Sequence, residues 1–112
     1  MKARIPKGPN MQDMLKQAQQ MQENLANVQA EVESREFTAG VGGGMVEATV
    51  TGKHQIVKLD IKPDVVDPED IEMLSDLITG AVNEAMRKAD EAMDTEMGKV
   101  QSIDGLNIPG LM

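Results

Sequence analysis

Residues 36–62 decide the fold, and they read EFTAGVGGGMVEATVTGKHQIVKLDIK. Three times within this stretch, apolar side chains recur at every second position with polar side chains between them, as in Val46, Ala48 and Val50. A period of two is typical of a β-strand with one buried face. The stretch therefore predicts three short strands, at about residues 37–41, 46–51 and 57–62.

The connections between these strands are short. A run of residues from Gly40 to Gly44 separates the first two strands, and Gly52 with Lys53 forms a turn before the third. Connections of this length allow antiparallel neighbours but no crossover, so the prediction is an antiparallel meander. The glycine run does not match a phosphate-binding loop, because no Lys-Ser/Thr pair follows it and no helix begins there.

A long helix is predicted before the strands, from a possible N-cap at Asn10 to about Ser34. Its apolar residues step by three and four positions and form a narrow seam: Met11, Met14, Ala18, Met21, Leu25, Val28 and Val32. The other faces are rich in glutamine. A two-in-seven seam favours a helix that projects or pairs with one partner over a helix buried in a globule.

A second long helix is predicted after the strands. Pro63 ends the third strand, Asp67 is the expected N-cap, and Pro68 suits the first helical position. A wide apolar stripe then runs from Ile71 to Met97, and Gly98 is the expected end of the helix. This helix should cover the sheet through its first half.

These elements define an α+β fold: a long N-terminal helix, a three-stranded antiparallel meander and a long C-terminal helix. We divide the chain into a mobile basic leader at 1–9, a single domain at 10–98 and a flexible tail at 99–112 that contains Gly and Pro. The tail is also apolar, so the alternative that it docks on another surface stays open.

Composition excludes several classes of function. The 112 residues include no Cys and one His, His54, so disulfides and thiol nucleophiles are impossible and a multi-His metal site could form only across subunits. No apolar run approaches the roughly 18 residues of a membrane span, and no signal peptide is recognised, so a cytoplasmic protein is expected. With one Phe as the only aromatic residue, self-association is expected to enlarge the core.

Charge by itself does not predict nucleic-acid binding. The net charge is −8, and it is concentrated in residues 63–112, which hold three basic and twelve acidic residues. Affinity for duplex DNA comes largely from Lys and Arg, and single-strand binding by stacking needs aromatic residues. Composition alone therefore favours a protein-interaction module. The acidic residues are best explained as a solvated helix face, and no arrangement of residues indicates catalysis.

Three stretches, in this order and spacing, nevertheless match a known pattern: KQAQQMQ at 16–22, the glycine-rich approach and strand at 43–58, and DPEDIEMLSDLI at 67–78. With them the chain resembles the YbaB/EbfC family of small bacterial nucleoid-associated proteins. The resemblance implies a tweezer-like homodimer whose sheets join at the centre and whose long helices project. It also implies a non-enzymatic protein without cofactors, on the nucleoid in the cytoplasm. Such a protein binds double-stranded DNA and alters its conformation, with consequences for nucleoid organisation and gene expression.

The resemblance supplies no residue-level binding motif, so candidate DNA contacts are chosen by charge and placement. They lie in the leader, the first helix and the turn after the second strand: Lys2, Arg4, Lys7, Gln12, Lys16, Gln19, Gln20, Arg35 and Lys53. Most would contact phosphates, and the glutamine amides could donate to phosphates or read base edges. The alternative is a dimeric adaptor or holdase that grips partner proteins through Met-rich surfaces and does not bind DNA.

Overall fold

A computed structural model describes residues 11–101 of the chain. The elements are helix α1 (Met11–Glu33), strands β1 (Glu36–Val41), β2 (Val46–Thr51) and β3 (Ile56–Ile61), a 3-10 turn (Pro63–Val65) and helix α2 (Ile71–Gln101). The predicted α+β fold is confirmed. Asn10, the leader and residues 102–112 lie outside the described residues.

The sheet is the predicted meander, with strand order β1-β2-β3 and both pairs antiparallel. Phe37 lies opposite Val50 and Ala48 lies opposite Leu59, so the apolar residues of all three strands share one face. The register of β2 with β3 shifts between Thr49 and Val50. This bulge leaves Val57 without a partner, and it brings Ile56 rather than Val57 opposite Val50.

Helix α2 covers the apolar face of β1 and β2. Three alanines spaced by four residues lie at this contact and are fully or almost fully buried: Ala81, Ala85 and Ala89. Their small side chains let the helix approach the sheet closely, where it meets the buried Val46, Ala48 and Val50. The core of the described residues is therefore small and consists largely of Ala and Val.

Both predicted ends of α2 are wrong. The helix begins at Ile71, and the residue that caps it is Asp70, whose Oδ1 accepts a hydrogen bond from the Met73 N–H at 3.2 Å. Asp67 instead accepts from the Glu69 N–H at 2.9 Å, within a turn that the Asp70 N–H closes by donating to the Asp67 carbonyl. Two Asp residues three positions apart offered the same capping signal, and the first of them stabilises the turn that precedes the helix.

At its other end the helix continues through Gly98 to Gln101. Gly98 is not among the glycines with positive φ, so it does not form a left-handed C-terminal cap. Val100 is 9% exposed, and α1 packs against α2. This packing explains why the helix extends past a glycine that would otherwise be a suitable end.

Candidate nucleic-acid interface

Helix α1 and the end of α2 form an arm that is anchored to the sheet at its root. Val32 is fully buried, and the Gly52 N–H in the β2–β3 turn donates to the Arg35 carbonyl at 3.2 Å. A Cβ atom on Gly52 would collide with the Val32 carbonyl oxygen and lie 2.8 Å from the Glu33 Cα. The absence of a side chain at Gly52 therefore lets the last turn of α1 pack directly on the β2–β3 turn.

The seam of α1 changes character along the helix. Val32 is buried, Met21, Leu25 and Val28 are half-buried, and Met11 and Met14 are 74% and 57% exposed. The half near the root is thus covered, whereas the half near the tip is not covered by the part of the chain that the structure describes. This exposure agrees with the predicted helix that projects or pairs with one partner, and it does not choose between the two.

Four of the nine candidate DNA contacts share one face of this arm, opposite the seam: Gln12, Lys16, Gln19 and Gln20. All four are exposed. Glu23 continues the same face toward the root, so the cationic part of the face is confined to the tip of the arm. Long amide and ammonium side chains in such a row can donate hydrogen bonds to successive phosphate oxygens.

Lys53 lies at the root of the arm, in a turn that is held on two sides. Its own N–H donates to Thr51 Oγ1 at 3.1 Å. The next residue, His54, adopts a φ of 66°, and its Nε2 lies 2.6 Å from Asp90 Oδ1 on α2. The Lys53 side chain is exposed, and no hydrogen bond or ion pair is recorded for it among residues 11–101. The turn therefore presents one free ammonium group at a fixed position beside the arm.

Arg35 differs from the other candidates because its guanidinium is already engaged. Nε and Nη2 donate to Glu31 at 2.8 and 2.7 Å, and Nη2 lies 3.7 Å from Glu96 on α2. The hydrogen bond from Arg35 lowers the pKa of Glu31 below its ordinary value of 4.5, so the pair is ionised at neutral pH. Arg35 links the two helices of the arm at its root, and a phosphate would have to compete with two carboxylates for it.

The cations of α2 are engaged as well. Arg87 pairs with Glu84 and Glu91 at 2.6 and 3.0 Å, and Lys99 lies 3.7 Å from Glu96. Lys88 donates to the carbonyl oxygen of Thr38 at 2.8 Å. Within residues 11–101, this leaves four lysines whose ammonium groups make no hydrogen bond or ion pair: Lys16, Lys53, Lys58 and Lys62.

Lys58 and Lys62 are absent from the candidates chosen from the sequence. The alternation of β3 could have identified Lys58, because it places this side chain opposite Thr49, on the sheet face away from α2. That face also carries Glu47 and Asp60, which are paired across β2 and β3. The remaining candidates, Lys2, Arg4 and Lys7, lie outside the described residues.

Residues 11–101 were also searched for a metal site and for a membrane-spanning helix. No group of three or more His, Asp or Glu side chains there could hold a metal ion. The search of the same residues for a helix long and apolar enough to cross a membrane also finds none. Gly42, Gly43 and Gly44 all adopt positive φ in the β1–β2 hairpin, which supports the interpretation of this run as a connector.

Comparison with known proteins gives a consistent result. A model of the YbaB/EbfC DNA-binding family matches residues 7–104. A nucleoid-associated protein of Clostridium acetobutylicum is 55% identical over 104 residues, which are 93% of this chain and 91% of that protein. One from Thermoanaerobacter pseudethanolicus is 47% identical over 110 residues, covering 98% and 97% of the two chains.

A crystal structure shares the fold. It is that of an uncharacterized protein from Helicobacter pylori, with a TM-score of 0.64 and 20% sequence identity, and the match covers 77% of this chain and 90% of that one. The two-helix, three-stranded architecture is therefore shared well beyond the range of clear sequence similarity.

Proposed function

This chain belongs to the YbaB/EbfC DNA-binding family, and on that basis we propose that it is a nucleoid-associated protein that binds double-stranded DNA as a homodimer and alters the conformation of the DNA. The observation that carries the proposal is the family match, which spans residues 7–104 and includes every described element. The proposal includes no catalytic step and no cofactor. The same reasoning places the protein on the nucleoid, in the cytoplasm.

We propose that the homodimer forms along β3. The second edge strand carries exposed apolar side chains, with Ile56 and Val57 at 52% and 51% exposure and Leu59 at 39%. The segment that follows it adds Val66 and Ile71, at 51% and 59%. An unpaired strand with an apolar face is a ready site for another strand, and pairing with the β3 of a second copy would extend the sheet across the dimer.

The charges on β3 suit a two-fold arrangement. Two β3 strands that pair antiparallel about Leu59 would place Lys58 opposite Asp60 of the partner subunit, and the reverse. Opposite charges at directly facing positions stabilise a strand pair, whereas like charges destabilise it. A strand with Lys and Asp on either side of its central residue is therefore complementary to a copy of itself.

Charge exchange tests this dimer. We expect Lys58→Asp and Asp60→Lys each to weaken the dimer about three- to tenfold by sedimentation equilibrium, because each substitution puts like charges opposite each other. The double variant, Lys58→Asp with Asp60→Lys, has the net charge of the natural chain and should recover most of the affinity. Single variants that dimerise as tightly as the natural chain would exclude this register.

DNA binding is proposed to use few contacts and mostly the phosphate backbone. Residues 11–101 are strongly acidic, and most of their Arg and Lys side chains on α2 are already paired. The free cations near the arm are Lys16 at its tip and Lys53 at its root. The leader, which lies outside the described residues, adds Lys2, Arg4 and Lys7 to the proposed contacts. Since Lys16 precedes Val32 by 16 residues, the two ends of the arm are about 24 Å apart, roughly seven base pairs of duplex.

The arms of the two subunits would straddle the duplex, and the lysines would replace counterions condensed on the phosphates. The slope of log affinity against log salt is then about −0.9 per phosphate contact. We expect the affinity for a duplex of mixed sequence to fall steeply between two ionic strengths. An affinity that is independent of salt would contradict the proposed contacts.

The adaptor alternative is favoured by one observation, the exposure of Met11, Met14 and Leu15 at the tip of the arm. Charge reversal discriminates between the two functions. Replacing Lys2, Arg4, Lys7 and Lys16 with Glu should abolish DNA binding if these side chains contact phosphates. Capture of partner segments by the apolar tip would change little. A charge-reversed dimer that binds DNA as before would exclude the proposed site.

A further inference from the structure

The β2–β3 turn contains a residue whose backbone conformation is not explained by local preference. The loop of this hairpin runs from Gly52 to His54, and the Thr51 N–H closes it by donating to the Gln55 carbonyl at 2.9 Å. His54 adopts a φ of 66° and is the only residue other than glycine with a positive φ within residues 11–101. Glycine is the usual residue at this position of a hairpin loop, because a Cβ atom is unfavourable there. A histidine at this position therefore needs another explanation.

The side chain of His54 supplies that explanation by joining the turn to α2. Its Nε2 lies 2.6 Å from Oδ1 of Asp90, and because a carboxylate can only accept, the ring nitrogen donates. The two side chains are 50% and 61% exposed, and exposed pairs of this kind contribute little to folding stability. The bond therefore does more to fix the position of the turn than to stabilise the protein.

The position of the turn matters because a carboxylate lies beside it. An open cleft of about 360 Å³ separates the turn from the end of α1, and both Lys53 and Glu33 line it. Oε2 of Glu33 accepts a hydrogen bond from Gln29 at 3.1 Å rather than an ion pair from Lys53. A lysine side chain is long and flexible, so a small movement of the turn would let its ammonium group pair with Glu33. That ion pair would take the ammonium group away from DNA.

We propose that His54 is a positioning residue for DNA binding. Its bond to Asp90 holds the β2–β3 turn on α2, so that Lys53 contacts a phosphate of the DNA backbone instead of pairing with Glu33. The inference rests on the proposed function, in which Lys53 is one of the phosphate contacts. It gives two acidic residues opposite effects: Asp90 supports DNA binding, although its charge repels DNA, and Glu33 opposes it.

Asp90 provides the sharpest test, because net charge and the positioning role predict opposite changes. Removing a carboxylate from an acidic protein should by itself strengthen binding to duplex DNA. We expect Asp90→Ala instead to raise the dissociation constant for a short duplex about threefold or more, because one phosphate contact is weakened. The slope of log affinity against log salt should also become less steep, by up to about 0.9.

Asp94→Ala is the matched control for this titration. It removes the same charge one turn further along α2, from an exposed side chain that makes no hydrogen bond or ion pair within residues 11–101. It should not weaken binding, since it leaves the β2–β3 turn in place.

His54→Gly separates positioning from stability. Glycine adopts a positive φ freely, so the midpoint of urea unfolding should not fall, whereas the affinity for the duplex should fall as in Asp90→Ala. The double variant should bind no more weakly than either single variant, because both substitutions remove the same bond. Asp90→Asn should bind at least as tightly as the natural chain, since an amide oxygen still accepts from Nε2. Additive losses in the double variant would contradict the inference.

The role of Glu33 gives an independent check. Glu33→Gln should raise the affinity of the Asp90→Ala protein about threefold more than it raises that of the natural chain, because the released Lys53 then has no carboxylate to pair with. Glu23→Gln removes the same charge from the exposed face of α1, and it should raise the affinity of both proteins by the same factor. Equal gains from Glu33→Gln in the two proteins would show that Lys53 is not released toward Glu33, and the inference would be wrong.

The titrations distinguish the failure of this inference from that of the proposed function. If the natural chain binds the duplex and Asp90→Ala binds it equally well or more tightly, the positioning role of His54 is overturned and the proposed function stands. If the natural chain does not bind the duplex, the proposed function is overturned and the inference falls with it.

Discussion

The two edge strands of the sheet, β1 and β3, differ in how far the rest of the chain covers them. At β1 the carbonyl oxygen of Thr38 accepts a hydrogen bond from Lys88 on α2, and Ala39 is buried beneath that helix. At β3 neither protection is present among the described residues, and Ile56, Val57 and Leu59 are exposed. Exposed strand edges lead to uncontrolled association unless they are covered. A sheet with one closed and one open edge can add a single partner strand, which favours a dimer over a fibre.

The largest effect is expected from a charge at the open edge. Leu59→Asp would place a carboxylate in the centre of the proposed β3 interface, where it has no cationic partner. The cost of about 3 kcal/mol or more raises the dissociation constant of the dimer more than 100-fold. Sedimentation equilibrium measures this constant. Thr38→Asp, at the closed edge, is the control and should leave the dimer intact. Equal weakening by both variants would remove the distinction between the edges.

A change at the root of the arm should affect folding rather than association. Gly52→Ala introduces a Cβ that collides with the backbone of α1 at Val32 and Glu33, so the last turn of the helix must move. We expect a loss of about 2 kcal/mol in the free energy of unfolding by urea denaturation. Gly43→Ala is a comparison at a position with open space around the Cβ, although its φ of 70° adds some strain. A larger loss at Gly43 than at Gly52 would contradict the close packing of the arm.

Opening the closed edge should cost less. Lys88→Met keeps the aliphatic side chain but removes the hydrogen bond to Thr38, and we expect a loss of about 1 kcal/mol and new concentration-dependent association. Arg87→Met removes the same charge from the neighbouring position, where the guanidinium pairs with Glu84 and Glu91 of its own helix. It should leave the free energy of unfolding almost unchanged, because exposed ion pairs contribute little, and it should cause no new association. If Arg87→Met associates as readily as Lys88→Met, net charge rather than the edge is responsible.

The smallest effect is expected at the β2–β3 turn. Lys53→Gln removes one free ammonium group without disturbing the Thr51 and Asp90 contacts that hold the turn. If Lys53 neutralises one phosphate, the slope of log affinity for DNA against log salt should become less steep by about 0.9. The same substitution at Arg35, which is paired with Glu31 and Glu96, should change the slope less. A larger change at Arg35 would show that phosphate displaces those carboxylates.

Much of the fold was predictable because it follows local rules. Alternation located the three strands to within a residue or two, and the seam identified α1. Which half of the seam is exposed could not be predicted, because it depends on what packs against the helix. The two ends of α2 were predicted wrongly at Asp67 and Gly98, although Asp is a good N-cap residue and Gly a common residue at the end of a helix. Two Asp residues compete for one cap, and the packing of Val100 continues the helix past a glycine.

The pairing of cations could not be predicted, because it depends on which helix faces cross. Arg35 and Glu96 are 61 positions apart in sequence, and they meet because α1 and α2 are antiparallel at the root of the arm. Lys88 reaches Thr38 only because α2 crosses β1. These contacts decide which candidates for DNA binding are free, so charge counting along the chain chose Arg35 and missed Lys58 and Lys62.

The most direct test of the account is a DNA titration with protein of known oligomeric state. The natural chain and Leu59→Asp would be titrated with the same short duplex at low salt, with mass measured by sedimentation and folding checked by circular dichroism. The account predicts two chains of the natural protein on each bound duplex, and a folded Leu59→Asp monomer that binds at least tenfold more weakly. A folded monomer that binds DNA as tightly as the natural chain would contradict it.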